Sequence, residues 1–211
     1  MYITWLGQSC FKIQTKNATL IMDPYDQKLG LKLPRLQADI VTISHDHYDH
    51  NNAEGIGGEP FIISNPGEYE VKGISIRGIP SWHDTSEGAE RGANTIYIIE
   101  AEDIKIAHVG DLGTQLSEVQ VEQLDNIDVL MVPVGGTYTL DAAGAAKVVN
   151  DIEPRIIIPM HYKLPGLKVS LAGVEPFCKE MGVKPNGAEE KLRVVKKELP
   201  TDDSQVVILK A

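Results

Sequence analysis

The chain has 211 residues, 42% hydrophobic and 24% charged, which fits one globular domain spanning 1–211 with a sizeable buried core. Its formal net charge of -10 disfavours unassisted binding to nucleic acid or an anionic membrane surface, although a bound cation can reverse the field locally. Cys10 and Cys178, the only cysteines, form no CxxC pair and no disulfide framework, and the opening "MYITWLGQSCFKI" has no charged and apolar leader pattern, so a cytoplasmic protein is expected. No apolar run approaches the roughly 18 residues that span a bilayer.

In chain order, "YITWL" (2–6), "CFKIQT" (10–15) and "ATLIMD" (18–23) read as short strands separated by the turn-forming pairs Gly7-Gln8 and Lys16-Asn17. "ADIVTIS" (38–44) is a continuous apolar run of strand length, expected to be buried on both faces. "PFIIS" (60–64), "YEVKG" (69–73) and "ISIRGIP" (74–80) continue the β pattern, and "NTIYIIE" (94–100) with "IKIAHVG" (104–110) predicts a hairpin turning at 101–103. Beyond residue 110 the texture changes. "SEVQVEQLD" (117–125) starts as a helix capped by Ser117, "IDVLMVPV" (127–134) is a buried strand, and "LDAAGAAKVVNDI" (140–152) is an Ala-rich helix opened by Asp141. "RIIIPMHY" (155–162) is a further buried strand, followed by a helix near 170–181, a loop at 184–190 and a final strand at 205–210. Strand–helix alternation in the second half predicts a layered α/β fold.

Three of the six histidines fall in "SHDHYDHNN", residues 44–52, at the carboxyl end of the apolar strand 38–44, where α/β sheets place ligand sites. Alternation of side chains puts His45 and His47 on one side, able to share a metal ion, while Asp49 and His50 turn away toward a second ion. Imidazole with carboxylate and no thiolate suits zinc, and also manganese or iron, and argues against a structural zinc knuckle. Such a loop on its own is often merely solvated. Here, however, other strand ends carry the same residue types: Asp23 after "TLIM", His83 after "GIPSW", Asp111 in "HVGD" and His161 after "IIIPM".

The H-x-H-x-D-H run at 45–50, with Asp23 before it and His83, Gly110-Asp111 and His161 after it, resembles the metallo-β-lactamase fold superfamily over essentially the whole chain. "WLGQSCFKI", "IMDP" and "WHD" look most like the branch of the ascorbate-phosphate lactonase and the N-acyl phosphatidylethanolamine phospholipase D type enzymes. The resemblance implies a four-layer αββα sandwich, two mixed sheets flanked by helices, with two divalent ions, zinc foremost, in a groove at the sheet edges. It assigns one ion to His45, His47 and His83 and the other to Asp49, His50 and His161, with Asp111 bridging them and Asp23 orienting ligands from behind.

Such a site implies hydrolysis by a metal-activated hydroxide, with Asp49 as the catalytic carboxylate aligning it. The bond would be an ester, lactone, amide or phosphodiester, and the partner a small-molecule substrate. Ser9, Ser44 and Ser81 lie in no G-x-S-x-G elbow. His47 stands where a flavodiiron-type site would carry Glu, and His83 lacks the GHTxGH context of glyoxalase II. A ribonuclease or phosphodiesterase, an incidental β-lactamase, and a non-catalytic metal-sensing module are the alternatives. Around the site, His108 is expected as a buried core histidine pointing away from Asp111, and Trp82 as a packing residue. Asp84 is either an orienter of a ligand histidine or a solvated acid, and Tyr48 either lines the groove or packs on its loop. Arg91 and Asn94 are candidates for a polar rim. Lys163 is a candidate for holding an anionic substrate group, against the ordinary reading of an exposed loop lysine.

Overall fold

The computed structural model describes residues 1–185 and 187–211. Its strands are β1 (Tyr2–Gly7), β2 (Cys10–Gln14), β3 (Thr19–Met22), β4 (Leu36–Gln37), β5 (Ile40–Thr42), β6 (Ile56–Gly57), β7 (Phe61–Ile63), β8 (Gly67–Val71), β9 (Ile74–Trp82), β10 (Ala93–Ala101), β11 (Ile104–His108), β12 (Val129–Pro133), β13 (Ile156–Met160), β14 (Leu192–Arg193) and β15 (Gln205–Val206). The helices are α1 (Glu118–Gln123), α2 (Ala142–Ile152) and α3 (Glu175–Glu180). One sheet has the order β14-β1-β2-β3-β5-β7, the other β15-β13-β12-β11-β10-β9-β8, and β4 pairs with β6 in a small ribbon.

Both large sheets are mixed, as expected, because hairpin strands and crossover strands alternate in the chain. In the first sheet β3, β5 and β7 run parallel; in the second, β11, β12, β13 and β15 do. Strands buried on both faces lose the in–out alternation, and β12 and β13 are indeed buried at every position. The inner faces of the sheets share one apolar core running from Met1 to Leu209, in which Trp5, Phe11, Ile13, Tyr97 and Ile106 are fully buried.

Among the described residues the three α-helices come from the second half of the chain. Ser117 caps α1 with a full capping box to Gln120, and Asp141 caps α2 through the Gly144 amide at 2.8 Å. The outer face of the first sheet is covered instead by loops and short 3-10 turns, where Tyr25, Leu29, Ala53 and Ile56 pack on Cys10, Ile21 and Val41. The helix expected near 170–181 is confined to six residues. Pro176 explains its late start, since proline fits only the first turn of a helix. The last strand is also shorter than expected, pairing only at 205–206 before Leu209 bridges to Glu189. Of the expected loop at 184–190, Asn186 lies outside the described residues. Among the described residues no helix is long and apolar enough to cross a membrane.

Sheet direction decides where chemistry can gather. The carboxyl ends of the parallel strands fall along one edge of the sandwich. The antiparallel register Ala93↔Trp82 and Tyr97↔His108 brings the end of β9 and the start of β10 to that edge as well. There the two sheets are stitched together: the Thr95 amide donates to the Ser44 carbonyl at 2.8 Å, and the Tyr97 hydroxyl reaches the Ile43 carbonyl at 3.0 Å.

Candidate metal centre

Five of the strands that end at this edge hand over one or more polar residues. Asp23 follows β3, the 44–50 loop follows β5, His83 follows β9, Asp111 follows β11, and His161 follows β13. Ligand atoms of His45, His47 and His83 lie within 4.8 Å of one another, as do those of Asp49, His50, Asp111 and His161. The Asp111 Oδ2 atom stands 3.2 Å from Nε2 of His50, 3.2 Å from Nε2 of His161 and 3.5 Å from Nε2 of His83. It therefore faces imidazoles of both groups. The His45 and His47 rings meet edge-on, with centroids 4.5 Å apart, on a loop that has already left strand geometry.

The backbone at this edge adopts conformations that regular strands avoid. Gln8, Asp23 and His161 all have positive φ, at 53°, 44° and 51°, a region costly for residues other than glycine and common at functional sites. Gly110, at φ 57°, turns the chain sharply between β11 and Asp111, and a Cβ there would overlap the Asn94 amide oxygen.

Behind the cluster lies a set of buried hydrogen bonds. Asp23 Oδ1 accepts from the Ser44 amide at 2.7 Å; its Oδ2 accepts from the Ser44 hydroxyl at 2.6 Å and faces His50 Nδ1 at 2.9 Å. Burial alone would raise the Asp23 pKa, but the hydrogen bond and charge of His50 outweigh it and hold the carboxyl ionised. Since the single Ser44 hydroxyl proton goes to Asp23, His45 Nδ1, 2.9 Å from that oxygen, must donate to it. Both outer nitrogens thus carry protons, and Nε2 of His45 and of His50 point inward, buried and without a hydrogen-bond partner. Without a cation the charges sort themselves by protonation. Burial works against a charged His50, yet Asp111 and Asp23 hold its pKa well above the ordinary imidazole value, whereas burial and the neighbouring His50 charge pull His45 down to about 3. Burial would likewise raise Asp111, but His161 and His50 keep it well below the usual carboxylate range.

Several contributors gave no readable signal in the sequence. Gln8 Nε2 donates to Asp49 Oδ2 at 3.0 Å, the Ser9 hydroxyl to Asp111 Oδ1 at 3.2 Å, and the Gln8 carbonyl accepts from the His161 amide at 3.0 Å. The run "GQS" carries these roles but reads only as a turn. Asn94 is buried, not part of a rim: it accepts from the Asp111 amide at 3.1 Å and donates to Ser81 and to the Val109 carbonyl. His108 is the buried histidine expected, with Nε2 2.8 Å from the Ser9 carbonyl. Asp84 is neither solvated nor paired with a histidine. Its two oxygens accept from the amides of Ser86, Gly88, Glu90 and Arg91. Trp82 is 41% exposed, so it caps the 85–92 loop from outside the core.

A cavity of about 310 Å³ opens over the cluster, and Gln8, Tyr48, Arg91, Tyr138 and Val169 form its walls above the His and Asp groups. Tyr48 therefore lines the groove. Lys163 does not: it is exposed, and it is not among the residues around the cavity. A wider groove of about 810 Å³, at the opposite strand ends, is lined by backbone turns and lysines such as Lys16 and Lys197 and contains none of the clustered histidines. The chemistry belongs to the smaller cavity.

The β-lactamase superfamily domain matches residues 2–161, about three-quarters of the chain, and the protein belongs to that superfamily. Within it the chain groups with the UPF0173 metal-dependent hydrolases. The protein of that name from Thermococcus onnurineus is 31% identical over 188 residues, 76% of this chain and 84% of its own length. A Thermotoga maritima structure described as a Zn-dependent hydrolase of the metallo-β-lactamase superfamily shares 37% identity at a TM-score of 0.79, covering 98% of this chain and 97% of that one. An isothiocyanate hydrolase from Delia radicum gut bacteria shares the fold at a TM-score of 0.68 and 15% identity, over 92% of this chain and 99% of that one.

Proposed function

We propose that the chain is a binuclear metal hydrolase, with zinc in both positions, that cleaves an ester, lactone, amide or phosphodiester bond of a small molecule in the cytoplasm. The observation that carries the reading is the Asp23 network. It fixes the protons of His45 and His50 on their outer nitrogens and turns two lone pairs into a buried space shared with Asp49 and Asp111. Inward lone pairs beside two carboxylates call for cations. His45, His47 and His83 would hold one ion, and Asp49, His50 and His161 the other, with Asp111 in reach of both groups of histidines. A donor set of imidazole and carboxylate without thiolate suits a catalytic zinc site. Two such ions supply an activated water near neutral pH and polarise the carbonyl or phosphoryl oxygen to be attacked.

The chain's own groups do the remaining work. Gln8 holds Asp49 by Oδ2, and Oδ1 has no hydrogen-bond partner among the described residues, so Oδ1 is the atom that takes the proton of the attacking water. Ser9 holds Asp111 by Oδ1 and leaves Oδ2 facing the imidazoles. The cavity of about 310 Å³ sits at the lower end of the range for small-molecule sites, roughly 300–1,000 Å³, and supports a compact substrate. Cys10 and Cys178, both buried and free, support a reducing compartment.

Elemental analysis of reconstituted protein should find about two divalent ions per chain, and Asp111→Asn should lose much of that metal while keeping its fold. Asp49→Asn should lower turnover by about 10²–10⁴, the usual worth of a positioned proton acceptor. A protein that retains no metal after reconstitution, or an Asp49→Asn variant as fast as wild type, would overturn the reading.

A further inference from the structure

The geometry points to Arg91 as an anion-binding residue that selects substrates carrying a carboxylate or phosphate group away from the bond being cleaved. The inference rests on the hydrolase reading above and goes further by naming the substrate class. Among the described residues, Arg91 is the only cationic side chain of permanent charge that lines the cavity. Its guanidinium has no salt-bridge partner and donates no hydrogen bond among the described residues; it lies over the Tyr138 ring, 4.8 Å from the centroid. A flat cation stacked on an aromatic face keeps its edge donors free for an oxyanion.

The loop that carries Arg91 is built to hold it in place. Asp84 gathers four backbone amides of the 86–91 segment, the last being that of Arg91 itself at 2.7 Å. The far end is tied back by the His83 amide, which donates to the Gly92 carbonyl at 3.1 Å. His83 and Asp84 are consecutive, so one dipeptide supplies both a candidate ligand and the anchor of the Arg91 loop. The backbone of Arg91 is therefore tied to His83 by a short closed ring, and the Tyr138 ring supports the guanidinium beyond it. Such rigidity has no evident use for a merely solvated arginine. It is what a site needs to place a charged substrate before reaction. The Asp49 and Asp111 carboxylates below face the clustered histidines and form no ion pair with Arg91, which leaves the cation for a ligand.

The test uses zinc-loaded wild type, Arg91→Met and Arg91→Lys. Hydrolysis of 4-acetoxybenzoate is compared with that of its neutral methyl ester, two substrates with the same scissile acetyl ester. In parallel, benzoate and phenylphosphonate are titrated calorimetrically into each protein to separate carboxylate from phosphate recognition. Wild type should favour the anionic ester by about tenfold in kcat/KM, the size of one charge-assisted contact, carried by KM. Arg91→Met should lose that preference and bind the favoured anion about tenfold more weakly, with an unchanged unfolding temperature; Arg91→Lys should keep part of both. Unchanged preference and unchanged probe affinity in folded Arg91→Met would overturn the assignment. If no protein cleaves either ester, the esterase form of the proposed function fails, and the titrations alone still decide the role of Arg91.

Discussion

Asp23 is the residue on which most of the site's order depends, because one carboxylate sets the proton positions of two imidazoles. Removing its charge while keeping its shape isolates that role. In Asp23→Asn the amide oxygen can still accept from the Ser44 amide, so the fold should survive, but the amide NH₂ must oppose either Ser44 or His50 Nδ1. His45 or His50 then loses its fixed tautomer. Metal affinity should fall by about 10–100-fold, the usual cost of losing such a partner, as measured by competition with a chromogenic chelator. Affinity equal to wild type would show that the ligand rings need no orientation from behind. Asp23 was legible in the sequence as an acid closing a strand. Its partner Ser44 was not, because a serine before a histidine is too common to carry information.

Among the elements, strand ends and the turns after them do the positioning, and glycine marks where the backbone must pass closely. Gly135, after β12, lies so near the end of β13 that a Cβ would overlap the His161 carbonyl oxygen. Both partners are backbone, so neither can swing aside. Gly135→Ala should therefore destabilise the protein by about 1–3 kcal/mol, visible as a lower urea midpoint at unchanged slope. It should also weaken metal binding, because His161 is the residue displaced. An unchanged midpoint would mean that the β12 and β13 ends slide freely past each other. The buried strands and capped helices could be read from their patterns. β4, β6 and β14, of two residues each, could not, because so short a pairing leaves no periodicity.

At the scale of the molecule the two sheets must stay in register for the cluster to exist. Tyr97 and the Thr95–Ser44 bond join them at the site. Along the sheet edge, Lys72 in the β8–β9 turn forms an ion pair with Asp39, which also accepts from the Thr19 amide at 2.7 Å. The Lys72 hydrogen bond, then the Thr19 amide, lowers the Asp39 pKa from its ordinary 3.8. A carboxylate with a depressed folded pKa stabilises the fold fully above 3.8, and the contribution is lost as pH falls through the lower folded value. The pair is largely exposed, so Asp39→Asn should cost only about 0.5–1 kcal/mol at neutral pH. The difference from wild type should shrink to nothing in urea melts carried out below the folded pKa. A difference that persists in acid would assign the effect to packing rather than charge.

The superfamily and the candidate ligands His45, His47, Asp49, His50, His83, Asp111 and His161 were legible in one dimension, because metal-ligating residue types at the ends of apolar strands leave a mark that spacing alone preserves. The α/β layering was legible for the same reason: periodicity and caps are local properties. Only the tertiary structure brought Gln8 to Asp49, Ser9 to Asp111 and Asn94 to the Asp111 amide, contacts between residues 17 to 102 positions apart made by side chains with no chemical signature of their own. It also turned Asp84 from a presumed solvated or ligand-orienting acid into the clamp of the Arg91 loop, and left Lys163 outside the cavity. A hydrogen-bond partner is chosen by what the fold brings within about 3 Å, and separation along the chain carries no trace of that choice.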